Sequence, residues 1–193
     1  DWSSSDVSIS NNQFTMPAQN VTATANYTIK TYTITAAPNN PSYGTVTGSG
    51  TYDCGSTATL TAVPATEFTF VGWYENGSQV STNITYSFIV SNNRTLEARF
   101  AAVNYNISFV VNPTGAGLPS ASPTPASVGQ TVTLTANPGS CYAFDSWSTS
   151  DATITNDAFI MPAKNVAITA NYSIKTYTIN ASAGTGGSIS PSG

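Results

Sequence analysis

The residues that could do chemistry are few, and their spacing is the first thing to weigh. Three carboxylates, Asp145, Asp151 and Asp157, crowd one short stretch. A glycosidase would need two such carboxyls facing a cleft, one of them with a raised pKa. A weak Ca2+ site would need carboxylate and carbonyl oxygens gathered from the same stretch. The plainer reading is three solvated loop acids, the ordinary state of charged side chains. Asn12 stands where Asp157 does in a matching segment near the start of the chain, so the trio is not a property of that segment. There is no histidine, which takes away the commonest general base, the usual triads and most transition-metal sites. Gly184, Gly186 and Gly187 precede a Ser-Ile-Ser strand pattern rather than a helix, so they form no phosphate-binding or dinucleotide fingerprint. The expected sets of catalytic, cofactor-binding and metal-ligating residues are therefore empty.

Two other residue types could still bind something. Trp2, Trp73 and Trp147 recur at matching positions, the last two beside Phe70 and Phe144 in a Phe-x-x-Trp spacing, which favours a core role over stacking on sugar. Tyr43, Tyr52, Tyr74 and Tyr142 lie near turn signals and are the better candidates for exposed, glycan-stacking rings. Cys54 and Cys141 occupy non-equivalent positions, aligned with Val128 and Glu67, so no unit can close its own disulfide. Two buried thiols are expected; the alternative, a bridge between units, needs Cα atoms within about 7 Å. The Asn-x-Ser/Thr sequons, such as Asn20, Asn26, Asn83 and Asn106, are those expected by chance in a chain so rich in Asn and Thr.

What must position these residues is a repeat. Trp147, Phe159, Met161, Pro162, Ala163, Asn165, Val166, Tyr172, Ile174, Lys175 and Tyr177 reproduce Trp2, Phe14, Met16, Pro17, Ala18, Asn20, Val21, Tyr27, Ile29, Lys30 and Tyr32 without a gap. A diverged copy lies between them, with Trp73, Phe88, Leu96, Ala98 and Phe100 in the corresponding places; the period is about 72 residues, the signature of a repeat architecture. The division is residues 1–31, the closing half of a repeat; 32–103 and 104–176, two complete repeats; and 177–193, the start of a further one.

Apolar and Thr/Ser/Asn residues alternate at 21–27, 32–36, 58–62, 105–109 and 132–136, the period of half-buried strands. Asn76-Gly77 between such runs predicts a hairpin, and Asn112 to Ser127 reads as a Pro/Gly/Ser loop. No long window has helical periodicity, so the fold class is all-β, predominantly antiparallel, with short helical turns allowed near Phe68 or Cys141. The stretches between repeats, such as Ala101 to Asn104, are too short to be flexible linkers, which implies an extended, stiff array.

Composition narrows the partners. Charged residues are 7% of the chain, with five Lys plus Arg and a net charge of −4, so the electrostatic footprint of a nucleic-acid binder is missing. No apolar run approaches the ~20 residues of a membrane span, so no membrane insertion is expected of this segment. Cell-surface glycan or protein remains as a partner. So does a second copy: residues 1–31 and 177–193 are complementary halves, and their open strand edges allow head-to-tail self-association. The alternative is that the end strands pack on their own neighbours or fray.

The motifs as a set resemble the divergent internalin-type B-repeat family of bacterial surface proteins. The resemblance rests on Tyr32-Thr-Ile and Tyr177-Thr-Ile, Gly55 and Gly129 before the Ala/Val-x-Leu-x-Ala strands, and Pro64 and Pro138 after them. It rests also on the Phe-x-x-Trp pairs and the Phe-x-Met-Pro-Ala-x-Asn-Val closings. It covers essentially the whole chain. It implies small tandem modules, β-grasp-like with little helix, in extracellular or cell-surface proteins, serving as a non-enzymatic stalk, spacer or adhesive segment. The alternatives are a glycan- or protein-binding module and the accessory repeats of a secreted enzyme. The middle unit departs from the pattern, with Ile89, Val90 and Ser91 in place of Met-Pro-Ala, and a different loop geometry is expected there.

Overall fold

The computed structural model describes residues 1–190 and places no helix among them. Two compact units form, Asp1–Ala101 and a second beginning at Ala102. Within the first, residues 1–31 contribute only a two-residue pair, β1 (Trp2–Ser3) against β2 (Thr24–Ala25). The complete repeat that follows builds β3 (Thr31–Pro38), β4 (Gly44–Thr47), β5 (Gly50–Asp53), β6 (Thr57–Pro64), β7 (Phe68–Glu75), β8 (Ser78–Ser81), β9 (Thr85–Ile89) and β10 (Arg94–Ala102). These strands make two sheets, ordered β5-β3-β10-β7-β8 and β4-β6-β9.

The opening strand β3 and the closing strand β10 are neighbours at the centre of the larger sheet, and they run parallel, Ile34 beside Arg94 and Pro38 beside Ala98. The other registered pairings in this unit are antiparallel. The second sheet, β4-β6-β9, supplies the other half of the core. Alternation explains the core: Ile34, Leu96, Ala98 and Phe100 point inward from one sheet, and Ala58, Leu60 and Ala62 from the other. Trp73 is fully buried between them, and Phe70 meets both it and Phe100 edge-on. The Asn76-Gly77 hairpin forms as expected, both residues at positive φ (49° and 82°), which matches the twist of β7 and β8.

The second unit repeats the plan with β11 (Asn104–Tyr105), β12 (Ile107–Asn112), β13 (Ser120–Ser122), β14 (Ala126–Ser127), β15 (Thr131–Thr135), β16 (Tyr142–Ser148), β17 (Ala158–Ile160) and β18 (Val166–Ile174). Its sheets are β12-β18-β16, β13-β15-β17 and the small pair β11-β14. Opening strand β12 again runs parallel to closing strand β18, from Ile107 beside Val166 to Asn112 beside Asn171. Val132, Leu134, Phe159, Met161, Val166 and Ile168 form the core, and half-buried Trp147 packs at its edge.

The same backbone contacts recur in both complete repeats. An asparagine before the closing strand accepts an N–H of the opening segment: Asn93 from Thr33 and Asn165 from Asn106, each at 2.8 Å. The middle repeat's closing loop differs as expected from its missing Met-Pro-Ala, being one residue shorter between Val90 and Asn93 than between Met161 and Asn165, yet its anchor is the same. Val90 exchanges main-chain bonds with Gly55 and Ser56 as Met161 does with Gly129 and Gln130, and both side chains are buried. A shorter apolar residue serves because the contact is made by the backbone.

Several expectations need correction. Trp2 is half exposed rather than in a core, and the strand expected over 21–27 forms only at Thr24–Ala25, because residues 1–31 have no second sheet packed on them. Tyr177 and Ile179 form no strand and are exposed, having no closing strand beside them; residues 191–193 of that expected segment lie outside the described residues. The Pro/Gly/Ser loop at 112–127 contains β13 and β14. At Phe68 and Cys141 there are tight turns, closed by Phe68 N–H to Ala65 O and Tyr142 N–H to Gly139 O.

Two glycines show how closely the sheets meet. A Cβ on Gly44 would stand 2.7 Å from the Phe100 ring, and one on Gly117 would stand 2.6 Å from the Tyr172 ring. Gly44→Ala should cost about 1–3 kcal/mol by overpacking. Trp73→Ala should cost about 3–5 kcal/mol, and Trp147→Ala less, since its ring is only half buried. Urea denaturation of each variant checks all three, and equal losses for the two tryptophans would contradict the packing described.

Candidate functional site

The three carboxylates do not converge on a site. Asp145 lies in β16 and accepts a bond from Ser173 Oγ at 2.8 Å. Asp151 pairs with Lys164 at 2.8 Å and accepts the Ala167 N–H at 3.0 Å, and Lys164 chiefly holds its carboxyl below the usual range. Asp157 accepts the indole N–H of Trp147 at 2.7 Å. Each acid ties one strand or loop to its neighbour, so the expectation of merely solvated loop acids is corrected: Asp145 and Asp157 are exposed and Asp151 is half-buried, and each has a partner. Among the described residues no group of three or more Cys, Asp or Glu side chains could hold a metal ion.

The tyrosines proposed as exposed rings are half-buried instead. Tyr43 stacks on Phe68 at 4.3 Å, Tyr52 donates its hydroxyl to Gly48 O, and Tyr142 packs on the cluster of Ala116, Ala170 and Tyr172. Turn signals mark where the backbone reverses, not where the side chain goes, and these rings fold back over the open ends of the sheets. Cys54 and Cys141 are correspondingly not buried. Both are free and exposed, each next to a turn where its side chain faces water.

Sequence reasoning missed the chain's two arginines, each of which pairs with a glutamate and lies over an aromatic ring. Arg94 forks onto Glu75, Nη2 to Oε2 at 2.7 Å and Nε to Oε1 at 3.1 Å, and its guanidinium lies 4.2 Å from the Phe88 ring centre. The Glu75 bond holds Arg94 firmly charged, and Arg94 holds the Glu75 carboxyl below the usual range. On the other arginine, the guanidinium sits 4.0 Å over the Tyr74 ring and pairs with Glu97. Tyr74, Asn76, Thr95, Glu97 and Arg99 line a shallow groove of about 420 Å3 on the five-stranded sheet. The available signal was charge itself: in a chain with so few cations, two Arg within six residues, at 94 and 99, are conspicuous.

Tandem two-sheet β units built on one sequence pattern, with acids and arginines spent on internal ties, define a repeat-array protein. A family model described as the divergent InlB B-repeat domain matches residues 1–31, 32–104 and 107–176, and the chain belongs to that family. Neither a curated protein nor a solved structure matches it. Among the described residues, no helix is long and apolar enough to cross a membrane.

The Arg94–Glu75 tie predicts an acid response. A carboxyl whose folded pKa is depressed contributes stability above its unfolded value, about 4.3, and loses that contribution as pH falls through the folded value. The urea midpoint of the 32–103 repeat should therefore fall between pH 7 and pH 3, and Glu75→Gln should flatten that fall. Unchanged pH dependence in the variant would remove this pair from the account.

Proposed function

We propose that the chain is a tension-bearing, non-enzymatic spacer within a bacterial cell-surface protein. Family membership supports the surface setting. The observation that carries the mechanical reading is the parallel pairing of the first and last long strands of each repeat. Tension applied through the ends of a repeat pulls two parallel neighbours in opposite directions. Their hydrogen bonds then share the load and break together. In an antiparallel terminal pair the same tension would open the bonds one at a time. The Asn93 and Asn165 clasps sit beside these ladders and add a bond to each.

The groove at Tyr74, Asn76, Glu97 and Arg99 supports a second reading, an adhesive module that takes a glycan or a protein segment there. A ring already covered on one face by a guanidinium offers a sugar little stacking surface, so the mechanical reading ranks first. A glycan array in which Tyr74→Ala abolishes a signal seen with the native chain would reverse the ranking.

Single-molecule pulling tests the first reading, with Cys54 and Cys141 replaced by Ser and cysteine handles placed at exposed sites. Handles at Asn104 and Lys175 load β12 against β18 along their length; handles at Asn104 and Lys164 peel them from one end. The first geometry should need distinctly the higher force. Equal forces would defeat the mechanical proposal.

A further inference from the structure

The middle repeat leaves open a strand edge that the corresponding segments elsewhere in the chain close. In the second unit, Thr155 and Ala158 exchange both main-chain bonds, at 2.8 and 3.1 Å, which folds a tight turn over the outer edge of β17. Ser10 and Gln13, at the matching positions of residues 1–31, make the same pair of bonds at 2.9 Å. The middle repeat does not. Its stretch from Trp73 to Phe88 is three residues longer than that from Trp147 to Phe159, and the additional chain forms β8, which pairs with β7 in the other sheet. Ile84, in the place of Thr155, accepts the Ala62 N–H instead and so extends the ladder of β9 with β6.

The free edge of β9 carries a defined set of groups. Ile84 accepts from Ala62 at one end of the ladder and Val90 donates to Ser56 at the other, so Tyr86 and Phe88 turn their main-chain groups to β6. The N–H and C=O of Thr85, Ser87 and Ile89 point the other way, and β6 is the only strand paired with β9 among the described residues. Nothing blunts this edge: β9 contains no Pro, Gly or charge, and its register with β6 has no bulge. Its sequence is symmetric in type about Ser87, with an aromatic ring on either side and a β-branched residue at each end. Arg94 fixes both rings, donating from Nη1 to the Tyr86 hydroxyl at 3.4 Å and lying 4.2 Å from the Phe88 ring centre.

We propose that β9 pairs with β9 of a second copy of this chain, antiparallel about a two-fold axis through Ser87. That register sets Ser87 against its own copy, Thr85 against Ile89 and Tyr86 against Phe88, and the outward groups of residues 85, 87 and 89 meet their complements. Facing aromatic pairs and facing β-branched pairs are favourable cross-strand combinations, and no charge has to be matched or buried. The sheet β4-β6-β9 and its copy then form one continuous sheet. The pairing uses a different strand from the parallel ladder of β3 and β10, so it stands apart from the mechanical reading.

Sedimentation equilibrium of the full chain, with Cys54 and Cys141 replaced by Ser, should show a reversible monomer–dimer equilibrium. Hydrogen exchange at the Thr85, Ser87 and Ile89 amides should slow about tenfold or more in the dimer, and that of Tyr86 and Phe88, already bonded to β6, should change less. Ser87→Lys places like charges opposite each other across the axis and should weaken association about tenfold or more. Ser87→Pro removes a donor that the ladder with β6 does not use and should weaken it as well. Exchange at the Leu96 and Ala98 amides reports that each variant is folded. In the same background, Ser87→Cys should give a disulfide-linked dimer on mild oxidation, and Thr45→Cys, exposed on the same sheet but away from the axis, should not. A chain that stays monomeric at every concentration overturns the proposal. So does a dimer that the folded Ser87 variants leave intact, equal cross-linking of the two cysteines, or new protection at residues 21–27 or 177–189 in place of β9.

Discussion

The parallel pairing of opening and closing strands is the constraint on which each repeat depends. A parallel pair cannot be joined by a tight turn and needs a long crossover. Here the crossover is nearly the whole repeat, from Pro38 to Arg94 in one unit and from Asn112 to Val166 in the other. That chain has to go somewhere, and its alternating Thr-rich strands fold into the facing sheet that buries Ile34, Leu96 and Phe100, or Val166 and Ile168. The Trp strand then pairs on the far side of the closing strand in the second unit, β16 on β18. Asn93 and Asn165 stand at the entry to the ladder because an opening-segment N–H there would otherwise lack a partner.

Much of this was legible as pattern. The gapless match of Trp2–Tyr32 to Trp147–Tyr177, the alternating strands and Asn76-Gly77 all translate directly into local geometry. What was not legible is relational. Phe14 and Phe159 open the same Phe-x-Met-Pro-Ala-x-Asn-Val pattern and differ sharply in burial, because burial depends on a sheet contributed by residues far away in the chain. Nothing local to Thr31–Pro38 says that its partner is Arg94–Ala102, or that the two run parallel. Tyr43 and Tyr52 were misplaced for a related reason: the turn residues around them fix the main chain but not the direction of the ring.

The acids and arginines show how a sparsely charged chain uses its charge. Glu75 and Arg94 come from different strands of one sheet, and Asp151 bridges a loop to the start of β18. The Lys164 end of the Asp151 tie is half exposed, and such a pair contributes little on its own, whereas the Glu75–Arg94 pair is largely shielded from water. Trp73 and Trp147 illustrate the same economy. Each indole N–H bonds the residue ten positions onward, the Asn83 carbonyl in one repeat and the Asp157 carboxylate in the other. The main-chain acceptor places no demand on the side chain at position 83.

The long separation of paired strands also governs the order of events as the chain emerges during synthesis. Contacts between residues some sixty positions apart carry a large loop-closure cost and form slowly. An opening half must therefore wait, unpaired, until its own closing strand has been made. During that wait the closing strand of the preceding copy is nearby and carries almost the same sequence, the condition under which repeat proteins mispair. The middle copy differs most from its neighbours, with Ile89-Val90-Ser91 and an Arg at the start of its closing strand where the others have Met-Pro-Ala and Val21 or Val166. A more diverged copy is a poorer match for its neighbours' strands, while the main-chain contacts at Val90 keep the anchor of its closing loop the same.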